Sequence, residues 1–254
     1  MAASFAVMTM VADESFFLPI WLRYYGSFAE ASDIYVLDHD STDGSTDGPG
    51  FVRIQVHNPV LDWAWHVEVV RLQQAALLER YDVVLYTDVD EIVVPDPAYG
   101  DLGRYVAEFS GDFVTCRGWE VLHDPSTESA LDPSRPVLEQ RGRWFRNPAY
   151  SKPLLASVPM PWTAGFHSRT DGLTRDDPRL FLVHLHRVDF DRCLDRHRQR
   201  VARPWVPGQV ASGWGYQDRI TDPEAFRTWF FTDSSWPGTS IAVEDIPDRW
   251  RRAF

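Results

Sequence analysis

The first 95 residues alternate between short apolar runs and longer segments in which apolar residues recur at helical spacing. Short runs rich in β-branched residues predict buried strands. They lie at residues 5–11, 33–37, 51–56 and 83–86. Residues 16–28 and 63–80 each carry one apolar stripe and predict amphipathic helices. The order strand, helix, strand, strand, helix, strand is typical of a largely parallel sheet with helices on its faces.

Three carboxylates follow the fourth predicted strand. Asp88, Asp90 and Glu91 lie between that strand and a second apolar run at residues 92–94. Because burying unpaired carboxylates is costly, they are expected to have a partner. In an extended chain Asp88 and Asp90 face one side and Glu91 faces the other. Two such ligands suit Mg²⁺ or Mn²⁺, with a substrate phosphate completing the coordination shell, whereas an isolated D-x-D is more often a solvated loop.

Polar residues also follow the first and second predicted strands. Asp13 and Glu14 lie between the first strand and the helix, where they are expected either to cap the helix or to meet a ligand. Residues 38–48, DHDSTDGSTDG, do not fit a calcium-binding EF-hand, because the twelfth position from Asp38 is Pro49, where a bidentate Glu is needed. A loop of Asp, Ser and Gly after a strand fits the ligand-binding edge of an α/β sheet.

The charge of the chain narrows the range of partners. A net charge of −12 and a pI near 5.0 argue against nucleic acid or an anionic membrane as the main partner. An anionic nucleotide would need a local cation, and a metal is the simplest one. No apolar run approaches the ~20 residues of a membrane span, and no signal peptide is recognised at the start. Cys116 and Cys193 lack zinc spacing and are expected to be reduced, in a cytoplasmic protein.

Three segments carry a resemblance to a known family. VMTMVADESFFLPIWLRYY, IYVLDHDSTDGS and DVVLYTDVDEIVVP, in this order, resemble the family 2-type glycosyltransferases of GT-A fold. They are most similar to a compact soluble branch with N-E, D-x-x-S-x-D-G-T and D-x-D-E motifs. The resemblance covers residues 5–95 and, more loosely, residues 151–200. One departure is Asp13, where the family usually has Asn before the residue that matches Glu14.

The resemblance implies an α/β fold of the GT-A (Rossmann-like) type, with a mixed, mainly parallel sheet flanked by helices and a C-terminal helical extension. Helical stretches are predicted near residues 223–231 and 245–252. The whole chain, 1–254, is expected to form one domain. Its parts are a nucleotide-binding half (1–95), an acceptor half (96–203) and a wrapping or lid segment (204–254).

The implied activity is metal-dependent transfer of a hexose from a nucleotide sugar, with a UDP-sugar favoured, to a hydroxyl of a small molecule or glycan, with inversion. Mn²⁺ or Mg²⁺ is the implied cofactor. Residues assigned to the donor are Thr9, Glu14, Asp38, Asp40, Arg71, Asp88 and Lys152. Residues assigned to the metal are Asp88, Asp90, His184 and, as second choice to His184, His186. The two histidines share one face of the strand predicted over residues 180–188, and His184 falls in register with a family histidine.

Three residues are candidates for the base that would deprotonate the acceptor hydroxyl. Asp171 is the first choice because it lies in a polar loop downstream of D-x-D, where the family usually keeps its base. Asp124 and Glu120, on or after the strand predicted over residues 112–123, follow it. Arg196 lies in the basic helix predicted after the strand over residues 180–188. Two interpretations of it remain open: it faces solvent, or it binds the diphosphate.

Two other functions remain open. The D-x-D motif also begins the catalytic segment of Mg²⁺ phosphatases, although there it normally follows the first strand. A protein that binds a sugar or a nucleotide without catalysis is the other alternative.

Overall fold

The N-terminal half of the chain forms a parallel sheet, in a computed structural model that describes residues 3–235 and 239–254. Its strands are β1 (Phe5–Val11), β2 (Ile34–His39), β3 (Val52–Val56) and β4 (Val83–Tyr86). They pair in the order β3-β2-β1-β4, and every pair is parallel. Helices α1 (Phe17–Tyr25) and α2 (Trp63–Leu78) connect parallel strands. The alternation of strands and helices predicted from the apolar pattern is confirmed.

Later strands extend this sheet, mostly in the antiparallel sense. The elements are β5 (Glu91–Pro95), α3 (Leu102–Glu108), β6 (Phe113–Val121), β7 (Arg143–Arg146), β8 (Pro153–Ala156), β9 (Asp176–His184) and β10 (Val243–Asp245). Strand β8 lies between β4 and β6 and is antiparallel to both. Strand β9 pairs with β6 in parallel and with β5 antiparallel. The fold is therefore the mixed α/β class expected, with its continuous parallel part in the N-terminal half.

The C-terminal region adds helices and one further strand. Its helices are α4 (Phe190–Ala202), α5 (Pro207–Ala211) and α6 (Pro223–Thr232). Helix α6 confirms the first predicted helical stretch. The second prediction, near residues 245–252, is wrong, because Val243–Asp245 pairs with β7 and only one helical turn, Asp248–Trp250, follows. Among the described residues, no helix is both long and apolar enough to cross a membrane.

Helix α1 holds the acidic segment from both ends. The indole Nε1 of Trp21 donates to Thr87 Oγ1 at 2.7 Å, just before the carboxylates. Beyond them, the hydroxyl of Tyr24 donates to the carbonyl of Val93 at 3.0 Å, and the Val93 amide donates to the Tyr25 hydroxyl at 2.9 Å. These buried bonds fix the backbone on either side of residues 88–91, and a displaced α1 would leave them unsatisfied.

Candidate functional site

A cavity of about 440 Å³ lies at the carboxyl ends of β1, β2 and β4. Residues 10–14, His39 and residues 88–91 contribute to its wall from those ends. The start of α2, the segment after β7, the end of β9 and helix α4 contribute further residues, as do the segments 165–167, 203–205 and 217–218. This is the edge at which open α/β sheets bind ligands.

The acidic segment forms a turn instead of continuing as an extended chain. The amide of Glu91 donates to the carbonyl of Asp88 at 2.9 Å, which closes the turn around Val89 and Asp90. The expectation that Glu91 faces away from the two aspartates is wrong, because the turn breaks the alternation of side chains. Asp88, Asp90 and Glu91 all line the cavity, but they have different partners.

Lys152 is the cation between Asp88 and Glu91. Its Nζ lies 3.2 Å from Asp88 Oδ2 and 2.6 Å from Glu91 Oε1, and the lysine is almost fully buried. Burial disfavours the charge of Glu91 and, despite Lys152, raises the pKa of that carboxyl to about 7. Burial also opposes the charge of Lys152, but the two carboxylates raise its pKa above the usual value. Lys152 is therefore a fixed positive charge in the cavity wall.

Asp90 is held by Arg196 of α4. The guanidinium bonds Asp90 through Nη1, and its Nη2 lies 2.6 Å from Glu14 Oε1. Although burial opposes ionisation, Arg196 and His184 hold the pKa of Asp90 well below its usual range. Arg196 is itself buried, so the solvated-face interpretation does not hold for this residue. Its position three residues after the buried Cys193 on α4 was the available signal, because residues three apart share one helix face.

His184 lies between two buried carboxylates. Its Nε2 is 3.5 Å from Asp90 Oδ2, and its Nδ1 is 3.3 Å from Glu120 Oε1. The ring of Tyr150 stacks on the imidazole with centroids 3.8 Å apart. Burial disfavours the imidazolium, but the two carboxylates outweigh it and raise the pKa of His184 to about 9. At neutral pH the metal-free protein therefore holds this side chain as a cation.

His186 lies in the turn after β9, not on the strand itself, because β9 ends at His184. Both histidines nevertheless line the cavity. Among the described residues, Asp90, His184 and His186 can each direct one ligand atom to a common point, since these atoms lie within 4.8 Å of one another. One carboxylate oxygen and two imidazole nitrogens fit a divalent ion such as Mn²⁺. Binding requires that His184 release its proton and that Asp90 exchange Arg196 for the ion.

Asp88 is not part of that three-residue group. Its Oδ1 accepts from the hydroxyl of Tyr86 at 2.7 Å, and its Oδ2 faces Lys152. The two aspartates of D-x-D thus have separate surroundings. Asp90 lies with the histidines, and Asp88 lies with a phenol and an ammonium group.

Several residues assigned to the donor lie away from the cavity. Thr9 is fully buried within β1, and Asp38 is buried against Arg53. Asp40 is bound to a neighbouring histidine, and Arg71 points outward from α2 toward a glutamate one turn away. The donor residues that do line the cavity are Glu14, Asp88 and Lys152.

The three candidate bases are also placed outside the cavity lining. Asp171 forms a surface ion pair with Arg169, with Nη2 and Oδ2 2.5 Å apart. Asp124 faces Arg143 at 3.3 Å. Glu120 is buried beneath the site, where it contacts His184. The family resemblance and the position along the chain singled out these acids, but neither shows which face of the sheet a loop reaches.

No protein-family model matches the chain, and no curated protein matches it. Among solved structures, it resembles a mannosyltransferase from Pyrobaculum calidifontis in complex with GDP-Man and Mn²⁺, with 14% identity, 93% of this chain and 72% of that chain covered, and a TM-score of 0.42. It also resembles the galactosyltransferase LgtC in complex with donor and acceptor sugar analogues. The identity is 13%, 94% of this chain and 86% of that chain are covered, and the TM-score is 0.28. A mycobacterial protein is similar at 19% identity over 46% of this chain, with a TM-score of 0.32, and the chain spans 41% of its length. At this level of similarity, function must be inferred from the residues of the cavity itself.

Proposed function

We propose that this protein is a metal-dependent glycosyltransferase that moves a sugar from a nucleotide-sugar donor to a hydroxyl acceptor. The observation that carries the proposal is the grouping of Asp90, His184 and His186 at the ligand edge of the sheet. Lys152, Arg196, Arg200 and Arg203 line the same cavity together with eight carboxylates. Because those carboxylates oppose a bound diphosphate, a divalent ion would be needed there in addition to the four cations. A UDP-sugar is the favoured donor on the resemblance of the motifs.

Different residues of the cavity would bind the diphosphate leaving group, either directly or through a divalent ion. A divalent ion on Asp90, His184 and His186 would act as a Lewis acid that neutralises the diphosphate. Lys152 lies on the Asp88 side of the cavity, from which it would donate hydrogen bonds to the diphosphate oxygens. Glu120 lies 3.3 Å from Nδ1 of His184, so it would hold the proton on that nitrogen and leave Nε2 for the ion, the usual role of a carboxylate behind a histidine ligand. Glu120 is therefore proposed as an orienting residue and not as the base.

Calorimetry with UDP, GDP and dTDP in the presence of Mn²⁺ tests the proposal. We expect one of the three to bind the parent and to lose affinity in Asp90→Asn. Asp195→Asn, on the exposed face of α4, is the matched control and should bind as the parent does. A donor at a hundredfold excess over its Kd should also stabilise the fold by ~2.7 kcal/mol. If no nucleoside diphosphate binds, the chain is not a nucleotide-sugar transferase.

One observation favours a second function, a protein that binds a nucleotide sugar without transferring it. None of the candidate bases lines the part of the cavity formed by described residues. Incubation of a bound nucleotide sugar with a panel of sugar acceptors separates the two functions. Transfer or donor hydrolysis supports the enzyme, and binding without either supports the second function.

A further inference from the structure

His66 belongs to a hydrogen-bonded chain that ends on Asp88. Its Nε2 lies 3.0 Å from the hydroxyl of Tyr86, and that hydroxyl donates to Asp88 Oδ1 at 2.7 Å. An ionised carboxylate can only accept, so the phenol proton lies on the Asp88 side. The phenol oxygen then accepts a proton from His66. The chain of bonds assigns a proton to Nε2 of His66.

The second ring nitrogen of His66 is left as an acceptor. Burial, the largest influence, lowers the pKa of His66 to about 4, so the ring carries one proton at neutral pH. Because that proton is on Nε2, Nδ1 has a free lone pair. His66 lines the cavity, and within residues 3–235 and 239–254 its Nδ1 has no hydrogen-bond partner. Nδ1 of His66 differs from the charged side chains of this cavity because it is a neutral acceptor that is not already hydrogen-bonded within the described residues.

Two aromatic rings hold the imidazole in this orientation. Trp63 stacks against it with an interplanar angle of 22°, and Phe166 meets it edge-on with centroids 5.3 Å apart. A flip of the ring would also break the bond to Tyr86. The Nδ1 lone pair is therefore held in place before any ligand arrives, which lowers the cost of ordering it on binding.

We propose that Nδ1 of His66 is a sugar-binding subsite, which accepts a hydrogen bond from a sugar hydroxyl. This inference rests on the proposed function as a nucleotide-sugar transferase. A lone pair repels phosphate oxygens but receives a neutral hydroxyl, so the subsite is for the sugar and not for the diphosphate. The hydroxyl belongs either to the sugar of the donor or to the acceptor, and the chemistry at Nδ1 is the same in both cases.

An acceptor hydroxyl at this subsite would give His66 a part in the reaction. The oxygen forms a bond to the anomeric carbon while the bond from that carbon to the diphosphate oxygen breaks. The hydroxyl proton moves to Nδ1 of His66. In the resulting imidazolium Nε2–H still donates to the Tyr86 hydroxyl, which still donates to the ionised Asp88, and the negative charge of Asp88 stabilises the new positive charge.

The tautomer can be tested in the free protein by nitrogen NMR of labelled histidines, with the His66 signals assigned by their loss in His66→Gln. We expect the proton on Nε2 and a bare Nδ1, and we expect Tyr86→Phe to weaken this preference. A proton on Nδ1 in the parent overturns the inference. This result does not depend on nucleotide binding, so it is distinct from a failure of the proposed function.

Binding and turnover then identify the hydroxyl. Parent, His66→Phe and His66→Gln are compared for whichever of UDP, GDP or dTDP binds the parent, and for its glucose or mannose conjugate, with Mn²⁺. Leu72→Gln, on the exposed face of α2, is the control. If the donor sugar is held, His66→Phe weakens the conjugate about tenfold, which is the value of one hydrogen bond, and leaves the free nucleotide unchanged.

If the acceptor is held, both affinities stay at the parental value and turnover, with water or a sugar as acceptor, falls by roughly 10²–10⁴. His66→Gln, which keeps a side-chain acceptor, should recover part of the loss in either case. Equal weakening of free nucleotide and conjugate, or no change in affinity and turnover, overturns the subsite.

Discussion

Glu14 and Arg196 lie 182 positions apart, yet Nη2 of Arg196 is 2.6 Å from Oε1 of Glu14. The same guanidinium bonds Asp90. One side chain of α4 therefore bridges the loop after β1 and the turn after β4, across the floor of the cavity. In the metal-free protein this arginine compensates Glu14, which is largely buried, and Asp90, which is buried and belongs to the proposed metal site.

Arg196→Met should destabilise the metal-free protein by ~3–5 kcal/mol, because removing one partner leaves buried carboxylates uncompensated. Urea unfolding in EDTA measures the change. Arg198→Met is the control, since Arg198 lies on the exposed face of α4 beside Asp195, and it should leave the midpoint unchanged. If Arg196→Met unfolds at the parental midpoint, the guanidinium does not stabilise the fold.

Asp90→Asn should abolish Mn²⁺ binding, whereas Asp88→Asn should weaken it by less. The reason is that Asp90 shares a potential coordination point with His184 and His186, and Asp88 is occupied by Tyr86 and Lys152. Calorimetric titration of each variant with Mn²⁺ decides the order. Unaltered titrations in both variants would remove the metal from this turn.

Gly118→Ala should destabilise the protein by ~1–3 kcal/mol, the range for overpacking. A Cβ at Gly118 would lie 2.4 Å from the carbonyl oxygen of Asn147 and 2.7 Å from the amide of Ser151, both of which are backbone atoms. These atoms must move, and they precede Lys152 in the cavity wall. Gly208→Ala, whose Cβ would meet nothing within 4 Å, is the control. Equal midpoints for both variants in urea would contradict the close approach.

The acid stability of the metal-free protein should depend on His66. Its pKa is lowered to about 4 in the folded state but is near 6.5 in an unfolded chain. The unfolded state therefore binds a proton first, so the contribution of the neutral imidazole is present above about pH 6.5 and is lost as pH falls through about 4.

Unfolding free energies of parent and His66→Phe, measured in EDTA at pH 7.5 and 4.5, test this contribution. The loss on acidification should be smaller in the variant. Taking the difference between the two proteins separates His66 from Glu91, whose pKa, raised to about 7, acts in the opposite direction. An equal loss in both proteins would show that His66 does not titrate in this way.

The amino-acid sequence by itself determined the elements and the position of the acidic turn. Runs such as Phe5–Val11 and Val83–Tyr86 are recognisable because burial on both faces of a strand demands continuous apolar residues. The stripe of α1 is recognisable because its buried residues Phe17, Trp21 and Tyr24 recur with the period of 3.6 residues per turn. Both signals are local, so they are contained in a short window of sequence.

Apart from Asp90, His184 and His186, which the family resemblance had already grouped, the tertiary structure decided which polar residues meet. Arg196 joins the site through a helix that begins 99 positions after Glu91, while Asp171 stays on the surface with Arg169. A charged residue has the same local pattern whether it faces water or a buried partner. Its environment depends on how distant segments pack, because a buried charge is tolerated only where the fold brings an opposite charge to it.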